Sequence, residues 1–95
     1  ERALRGLVGE RERVAAALDA TDGLTAFPSG ANFVLFRVHG DARVLWEQLV
    51  QRGVLVGDCS SWPRLAGCLR VTIGTPEEND AFLDALAESI GEVAA

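Results

Sequence analysis

The 95-residue sequence predicts an α+β fold: a small, mostly antiparallel sheet of three or four strands with helices packed on one face. Three observations lead to this prediction. Apolar residues recur at helical spacing in three segments of the chain. Short runs rich in β-branched and aromatic residues lie between these segments. Glycine, proline or aspartate separates each element from the next, and the length suits one small domain.

The elements are predicted in the order helix, strand, strand, helix, strand, strand, helix. Their predicted bounds are residues 2–19, 24–27, 32–38, 42–52, 54–56, 68–74 and 76–91. Asp41 is a suitable N-cap for the second helix, and Gly53 ends that helix. Thr75 and Glu78 have the spacing of a capping box at the start of the third helix. The strand, helix and strand around residues 32–56 are typical of a crossover connection.

Side-chain patterns indicate which faces are buried. The last strand alternates with a period of two, so that Leu69 and Val71 share one face and Arg70 lies on the other. Residues 32–38 are apolar on both faces, as an interior strand would be. Residues 57–67 show no periodicity and are expected to form a loop. The second helix is expected to pack through one apolar side, made of Val44, Leu45, Leu49 and Val50.

Composition and charge exclude several classes of protein. The net charge is −5, and the nine basic residues are all arginines scattered along the chain. A nucleic-acid-binding protein needs a concentrated basic surface, so no nucleic-acid partner is expected. No apolar stretch approaches the ~20 residues of a membrane span, and no signal peptide is expected. The chain has no lysine, which excludes a Schiff-base nucleophile and a P-loop.

The two cysteines, Cys59 and Cys68, are expected to be free thiols rather than a disulfide or a metal site. A tetrahedral zinc site needs four ligands, and His39 is the only histidine that could add a third. No serine or cysteine sits at a recognisable nucleophile elbow. The sequence therefore predicts no metal site and no catalytic residue within this chain.

Arg70 is the residue most in need of a chemical explanation, because it is a guanidinium in the middle of a predicted strand. It lies on the face opposite Leu69 and Val71. Its planar fork suits two-pronged binding of a carboxylate. The residue pattern alone leaves two alternatives open: a solvated or ion-paired structural residue, and a binder of an anionic ligand.

Three blocks of the sequence resemble the histidinol-phosphate aminotransferases, in the same order and spacing. They are residues 28–35 (PSGANFVL), 53–56 (GVLV) followed by Asp58, and 67–79 (GCLRVTIGTPEEN). The resemblance implies that residues 1–95 are the C-terminal small domain of a fold-type I enzyme that depends on pyridoxal 5′-phosphate. Such enzymes transfer an amino group between histidinol phosphate and 2-oxoglutarate in cytoplasmic histidine biosynthesis.

The same resemblance suggests roles for individual residues. Arg70 matches the arginine that grips the anionic end of the substrate, and it would hold the α-carboxylate of glutamate. Asn32 matches a recurrent asparagine at the start of the central strand. Gly57 departs from the family, which usually has an arginine there that helps to bind the substrate phosphate. Either Arg64 replaces that arginine or the substrate carries no phosphate.

The resemblance also implies what lies elsewhere in the protein. The lysine and the other residues that bind pyridoxal phosphate belong to a large domain, so the large domain of the same chain is the expected partner. The helix at 1–19 is interpreted as an interdomain helix that begins upstream. Trp46 and Trp62 are expected to pack in the core or at the domain interface. The intact protein is expected to be a homodimer, and this chain alone is expected to be inactive.

Other functions remain open at this point. An aromatic amino acid aminotransferase of the same superfamily would fit the missing arginine at Gly57. A threonine-phosphate decarboxylase has a related fold, but it also needs phosphate contacts. From a different class, a stand-alone ferredoxin-like or ACT-like module would use Arg70 for a ligand or a dimer contact.

Overall fold

The computed structural model describes residues 2–27, 32–54, 56–59 and 61–94. Within these ranges, helices and strands follow one another in the predicted order. The helices are α1 (Arg2–Asp19), α2 (Ala42–Gln51) and α3 (Pro76–Ala94). The strands are β1 (Leu24–Phe27), β2 (Phe33–Val38), β3 (Val56–Asp58) and β4 (Cys68–Thr72). The α+β prediction is confirmed. The predicted turn at 28–30 lies outside the described residues.

The strands form one sheet in the order β1-β2-β4-β3, and neighbouring strands are antiparallel. Strand β2 is interior, as its apolar pattern predicts. Strands β2 and β3 are both antiparallel to β4, so they run parallel to each other with β4 between them. The connection through α2 is therefore a crossover that spans one intervening strand.

The hydrophobic core lies between one face of the sheet and the three helices. Every second residue of β2 and β4 points into it, so the predicted alternation of Leu69 and Val71 with Arg70 is confirmed. The Phe36 and Phe82 rings meet between β2 and α3, with centroids 6.2 Å apart. The sheet and helix residues that are buried together include Val14, Leu18, Leu24, Val34, Phe36, Leu45, Leu49, Val56, Leu69, Val71, Phe82 and Leu86.

The start of α3 is fixed by the predicted capping box. The Glu78 amide donates to Thr75 Oγ1 at 3.1 Å, and the Thr75 amide donates to Glu78 Oε1 at 2.9 Å. Hydrogen bonds to the Glu78 carboxylate from the Thr75 amide, and then from the Thr75 side chain, hold the pKa of that carboxyl below its ordinary value. A Cβ at position 74 would stand 2.6 Å from Glu78 Oε1, so a larger residue there would displace the Glu78 carboxylate from this box. The Asp41 cap of α2 is also confirmed.

A buried polar side chain, Asn79, joins α1 to the start of α3. Its Nδ2 donates to Glu10 Oε1 at 3.0 Å and to the Gly74 carbonyl at 3.1 Å. Its Oδ1 accepts from the Gly74 amide at 2.9 Å. Arg13 extends the network through ion pairs with Glu10 at 2.8 Å and with Asp80 at 2.9 Å. No local sequence pattern predicts this role of Asn79, because its partner Glu10 comes from a distant segment.

The predicted position of the third strand is wrong. Strand β3 comprises residues 56–58 rather than 54–56, and Leu55 lies outside the described residues. Consequently Gly57 and Asp58 belong to a strand instead of the predicted 57–67 loop. The reason is the pairing of β3 with β4, which begins at Val56. An edge strand has only one neighbour, so it tolerates a glycine and an aspartate that apolar patterning does not select.

The expected apolar side of α2 is also partly wrong. Val44 and Val50 are exposed, and the helix packs through Ala42, Leu45 and Leu49 instead. These three residues recur at i, i+3 and i+7, which is a narrower stripe than the predicted one. The helix contacts α3 on one side and the β3 edge on the other, so its outer valines meet solvent.

Trp46, in contrast, packs as expected. It is half-buried on α2, and its Nε1 donates to the Val56 carbonyl at 2.6 Å. This bond attaches α2 to the edge strand β3. Trp46 is also covered from outside by Arg43, whose guanidinium carbon is 5.0 Å from the ring.

Candidate functional site

Arg70 lies on the side of the sheet without helices, which is called the open face. Residues paired across antiparallel strands point to the same side, so the register identifies its members. Its strand residues are Thr25, Phe27, Phe33, Leu35, Arg37, Gly57, Cys68, Arg70 and Thr72. They include two arginines and no acidic residue, although the whole chain has a net charge of −5. The open face is therefore suited to an anionic ligand with apolar parts.

Arg70 lies on the open face because its neighbours in β4 point into the core, and β4 is an interior strand of the sheet. Its register partners are Leu35 on β2 and Gly57 on β3. The guanidinium carbon lies 5.3 Å from the centroid of the Phe33 ring, a cation–π distance. The side chain is exposed, and no acceptor among the described residues binds it. The alternative of a structural ion pair is therefore not found in the described part of the chain.

Arg37, the other arginine of the open face, is engaged in structural contacts. Its Nη2 donates to the Arg64 carbonyl at 2.8 Å, and its Nε donates to the Ala66 carbonyl at 3.2 Å. Its guanidinium carbon also lies 5.2 Å from the Phe27 ring centroid. These contacts hold the loop before β4 against the sheet. Arg37 thus has a local role, whereas the hydrogen-bonding groups of Arg70 remain available to a ligand.

Gly57 lies directly beside Arg70 on the edge strand. A Cβ at this position would stand 3.7 Å from Arg70 Cβ and 3.9 Å from Arg70 Nε, which are ordinary contact distances. Its φ angle is not in the left-handed region. Neither sterics nor backbone conformation therefore requires glycine here. Its effect is to leave open space next to the guanidinium at the edge of the sheet.

The other predicted site residues are not brought to Arg70 by any described contact. Asn32 is exposed in the turn before β2, and its carbonyl accepts from the Ile73 amide at 2.8 Å. Arg64 lies in the loop before β4 with a φ of 67°. Trp62, in the same loop, is 64% exposed, so it does not pack in the core of this chain, and its place at a domain interface stays a prediction.

The described residues form neither a metal site nor a membrane-spanning helix. No group of three or more His, Cys, Asp or Glu residues in these ranges is arranged to hold a metal ion. Among the helices of the described chain, none combines the length and the apolar character needed to cross a membrane. Arg70 and its neighbours on the open face are therefore the best candidate site.

Comparison with known proteins identifies the family of the chain. The family model for aminotransferase class I and II matches residues 1–86. The chain belongs to this family. It is 54% identical over 85 residues to histidinol-phosphate aminotransferase 1 from Ralstonia nicotianae, an alignment that covers 88% of the chain and 22% of the relative. The chain thus spans less than a quarter of the length of this family member.

Two solved structures of relatives share the fold. The histidinol-phosphate aminotransferase from Clostridium acetobutylicum superimposes with a TM-score of 0.87 at 24% identity, over 96% of this chain and 28% of that protein. The L-threonine-O-3-phosphate decarboxylase from Porphyromonas gingivalis gives a TM-score of 0.82 at 28% identity, over 92% of this chain and 28% of that protein. The fold of the chain is therefore shared with about 28% of the length of each of these larger proteins.

Proposed function

We propose that this chain is the substrate-covering small domain of a longer pyridoxal-phosphate-dependent aminotransferase. The proposed reaction is amino transfer between histidinol phosphate and 2-oxoglutarate, in the biosynthesis of histidine. Family membership and the relative from Ralstonia nicotianae support this assignment. The family match also favours it over a stand-alone ferredoxin-like or ACT-like module.

The observation that carries the proposal is the unengaged guanidinium of Arg70 on the open face. We assign to it the α-carboxylate of glutamate, bound by two parallel N–H···O hydrogen bonds. Phe33 supports the guanidinium from one side, and Leu35 lies next to it in the register. Fixed binding of the carboxylate would orient the amino group toward the reacting atoms. Asn32 and the open space over Gly57 are proposed as the margins of the same substrate site.

The residues of this chain do not fit a binding site for pyridoxal phosphate. The cofactor supplies an aldehyde that reacts with amines, and enzymes hold it through a lysine. The chain has no lysine. We therefore assign the cofactor to a large domain of the same protein, with α1 as the connection between the domains. The separate 95-residue chain is expected to have no aminotransferase activity.

A second specificity is favoured by Gly57. With no cation at this position, the only unengaged guanidinium among the described open-face residues is Arg70, which the α-carboxylate would occupy. An aromatic amino acid, whose side chain is uncharged, would then suit the space beside Arg70. The similarity to the decarboxylase from Porphyromonas gingivalis keeps threonine phosphate as a third candidate. That substrate needs a phosphate contact, as histidinol phosphate does.

The same assignment leads to proposals for the domain contact, the oligomeric state and the cellular compartment of the enzyme. The open face would meet the large domain, and the intact protein is proposed to be a homodimer. The two free cysteines fit a reducing compartment such as the cytoplasm. The acidic net charge and the scattered arginines speak against a nucleic-acid partner.

The decisive experiment is a substrate panel on the full-length protein loaded with pyridoxal phosphate. Amino transfer to 2-oxoglutarate is measured from histidinol phosphate, from phenylalanine and from an aliphatic amino acid as control. Release of carbon dioxide from threonine phosphate is followed in parallel. The proposal expects the highest kcat/KM for histidinol phosphate. A preference for phenylalanine would replace the substrate, and decarboxylation without amino transfer would replace the reaction.

A further inference from the structure

The two cysteines, nine residues apart in the sequence, lie opposite each other at the end of the β3–β4 pairing. The pairing of β3 with β4 ends where Asp58 faces Leu69, so Cys59 and Cys68 are the next two residues along the two strands. In that next position the Cys59 amide donates to the Cys68 carbonyl at 3.0 Å. Cα atoms of opposite residues joined by such a backbone hydrogen bond are about 5.5 Å apart. A disulfide spans Cα separations of about 4.4–6.8 Å, so the backbone already suits a bridge.

The two thiols differ in their access to solvent. Both are free, Cys59 is partly exposed, and Cys68 is fully buried. Cys68 is on the open face, but the loop before β4 covers it. The Cys68 amide donates to the Leu65 carbonyl at 2.9 Å, and Arg37 holds the Arg64 carbonyl of the same loop. A reagent from solvent can therefore reach Cys59, whereas Cys68 is shielded by protein.

We propose that Cys59 and Cys68 are a redox-active dithiol that forms a reversible disulfide by exchange with a low-molecular-weight disulfide. The Cys59 thiol loses its proton, and its sulfur attacks one sulfur of the small disulfide. The S–S bond of the reagent breaks and releases one small thiol, which takes up the proton. The Cys68 thiol then loses its proton and attacks the Cys59 sulfur, releasing the second small thiol. Two protein thiols are oxidised by two electrons, and one small disulfide is reduced to two thiols.

The roles of the two thiols follow from their exposure to solvent. Cys59 is the attacking thiol, and Cys68 is the resolving thiol. The bridge would join the edge strand to β4 two residues from the Gly57–Arg70 pair. This dithiol does not depend on the proposed aminotransferase activity. Its basis is the strand register and the exposure of the two thiols.

The test exploits the arginines around the two cysteines. Trypsin cleaves after Arg52, Arg64 and Arg70, which places Cys59 in peptide 53–64 and Cys68 in peptide 65–70. The folded full chain is equilibrated in buffers of graded reduced and oxidised glutathione. Free thiols are then blocked with iodoacetamide, and the digest is analysed by mass spectrometry. The proposal expects the two peptides to appear linked, lighter by two hydrogens than their sum, and to separate after reduction.

A comparison with the unfolded chain shows whether the fold prepares the pair. In the folded chain, the equilibrium constant for disulfide formation with glutathione is expected to be about tenfold or more above its value in urea. The Cys68→Ser variant is expected to accumulate glutathione on Cys59, because no resolving thiol remains. The Cys59→Ser variant is expected to react much more slowly at its buried Cys68. If the folded wild-type chain keeps glutathione on Cys59 without linked peptides, or shows no gain over the unfolded chain, the proposal is wrong.

Discussion

Gly57 faces Arg70 across the β3–β4 ladder, and a methyl group added at Gly57 would stand 3.9 Å from Arg70 Nε. The residue at position 57 therefore borders directly on the guanidinium proposed to bind substrate. A side chain there would contact Arg70 without a clash. The pair offers two separate tests: removal of the charge at position 70, and addition of a charge at position 57.

Replacing Arg70 is expected to weaken substrate binding strongly while leaving the fold intact. In the full-length protein, Arg70→Ala should raise the KM for glutamate by about 100-fold or more, because two charge-assisted hydrogen bonds of about 1.5–3 kcal/mol each would be lost. Arg70→Lys should recover only part of the loss, since an ammonium group lacks the planar fork. Steady-state kinetics with glutamate and 2-oxoglutarate measure both effects. Arg43→Ala, on the outer side of α2, is the matched control, and unchanged kinetics in Arg70→Ala would contradict the assignment.

Gly57→Arg is expected to favour a phosphorylated substrate. A second guanidinium beside Arg70 would attract a phosphate through a charge-assisted contact of about 1.5–3 kcal/mol, or about 10- to 150-fold in kcat/KM. This gain is expected for histidinol phosphate and not for phenylalanine. Gly57→Ala serves as the control. It should leave kcat/KM unchanged for both substrates, because its methyl group would make only ordinary contacts. Equal changes for both substrates would show that position 57 does not contact the phosphate.

Local sequence signals predicted much of this fold. The bounds of α1 and β1 agree with the prediction, because helical periodicity and the following turn define them. The box of Thr75 and Glu78 needs only residues three apart, so it is visible in the sequence. The outward position of Arg70 follows from the two-residue period of its strand. These features depend on neighbours along the chain.

Features that depend on strand pairing were harder to predict. The bounds of β3 follow from its register with β4, which no local pattern encodes. The same register places Cys59 opposite Cys68. The hydrogen bond between Asn79 and Glu10 joins two helices, so no local pattern predicts it. The space beside Arg70 depends on the same register, which places Gly57 opposite it.

Asn79 is expected to be a major polar contributor to stability. Asn79→Ala removes its hydrogen bonds to Gly74 and Glu10 and leaves the Gly74 amide without its partner. Each bond contributes about 0.5–1.5 kcal/mol, so a loss of roughly 2–3 kcal/mol in the free energy of unfolding is expected. Urea unfolding followed by circular dichroism measures it. Asp80→Ala, which breaks only an exposed ion pair, should cost less than about 1 kcal/mol. Similar losses in both variants would contradict the role given to Asn79.

The pH dependence of stability is expected to reflect Glu10, whose pKa falls from an ordinary 4.5 to about 2. Hydrogen bonds from Arg13 and then from Asn79 to the charged carboxylate cause this decrease. On acidification the unfolded chain binds a proton near its ordinary pKa, while the folded chain keeps the carboxylate charged. The contribution of Glu10 is therefore full above about pH 5 and is lost as the pH falls to about 2.

The measurement is urea unfolding of the wild-type chain and of Glu10→Gln between neutral pH and about pH 3. The wild-type chain should be the more stable one at neutral pH, and its advantage should shrink steadily below about pH 5. In an Arg13→Ala background the same comparison should show a smaller pH-dependent difference, because the largest cause of the lowered pKa is gone. A stability difference that stays constant over this pH range would show that the Glu10 carboxylate is not held in its charged form by the fold.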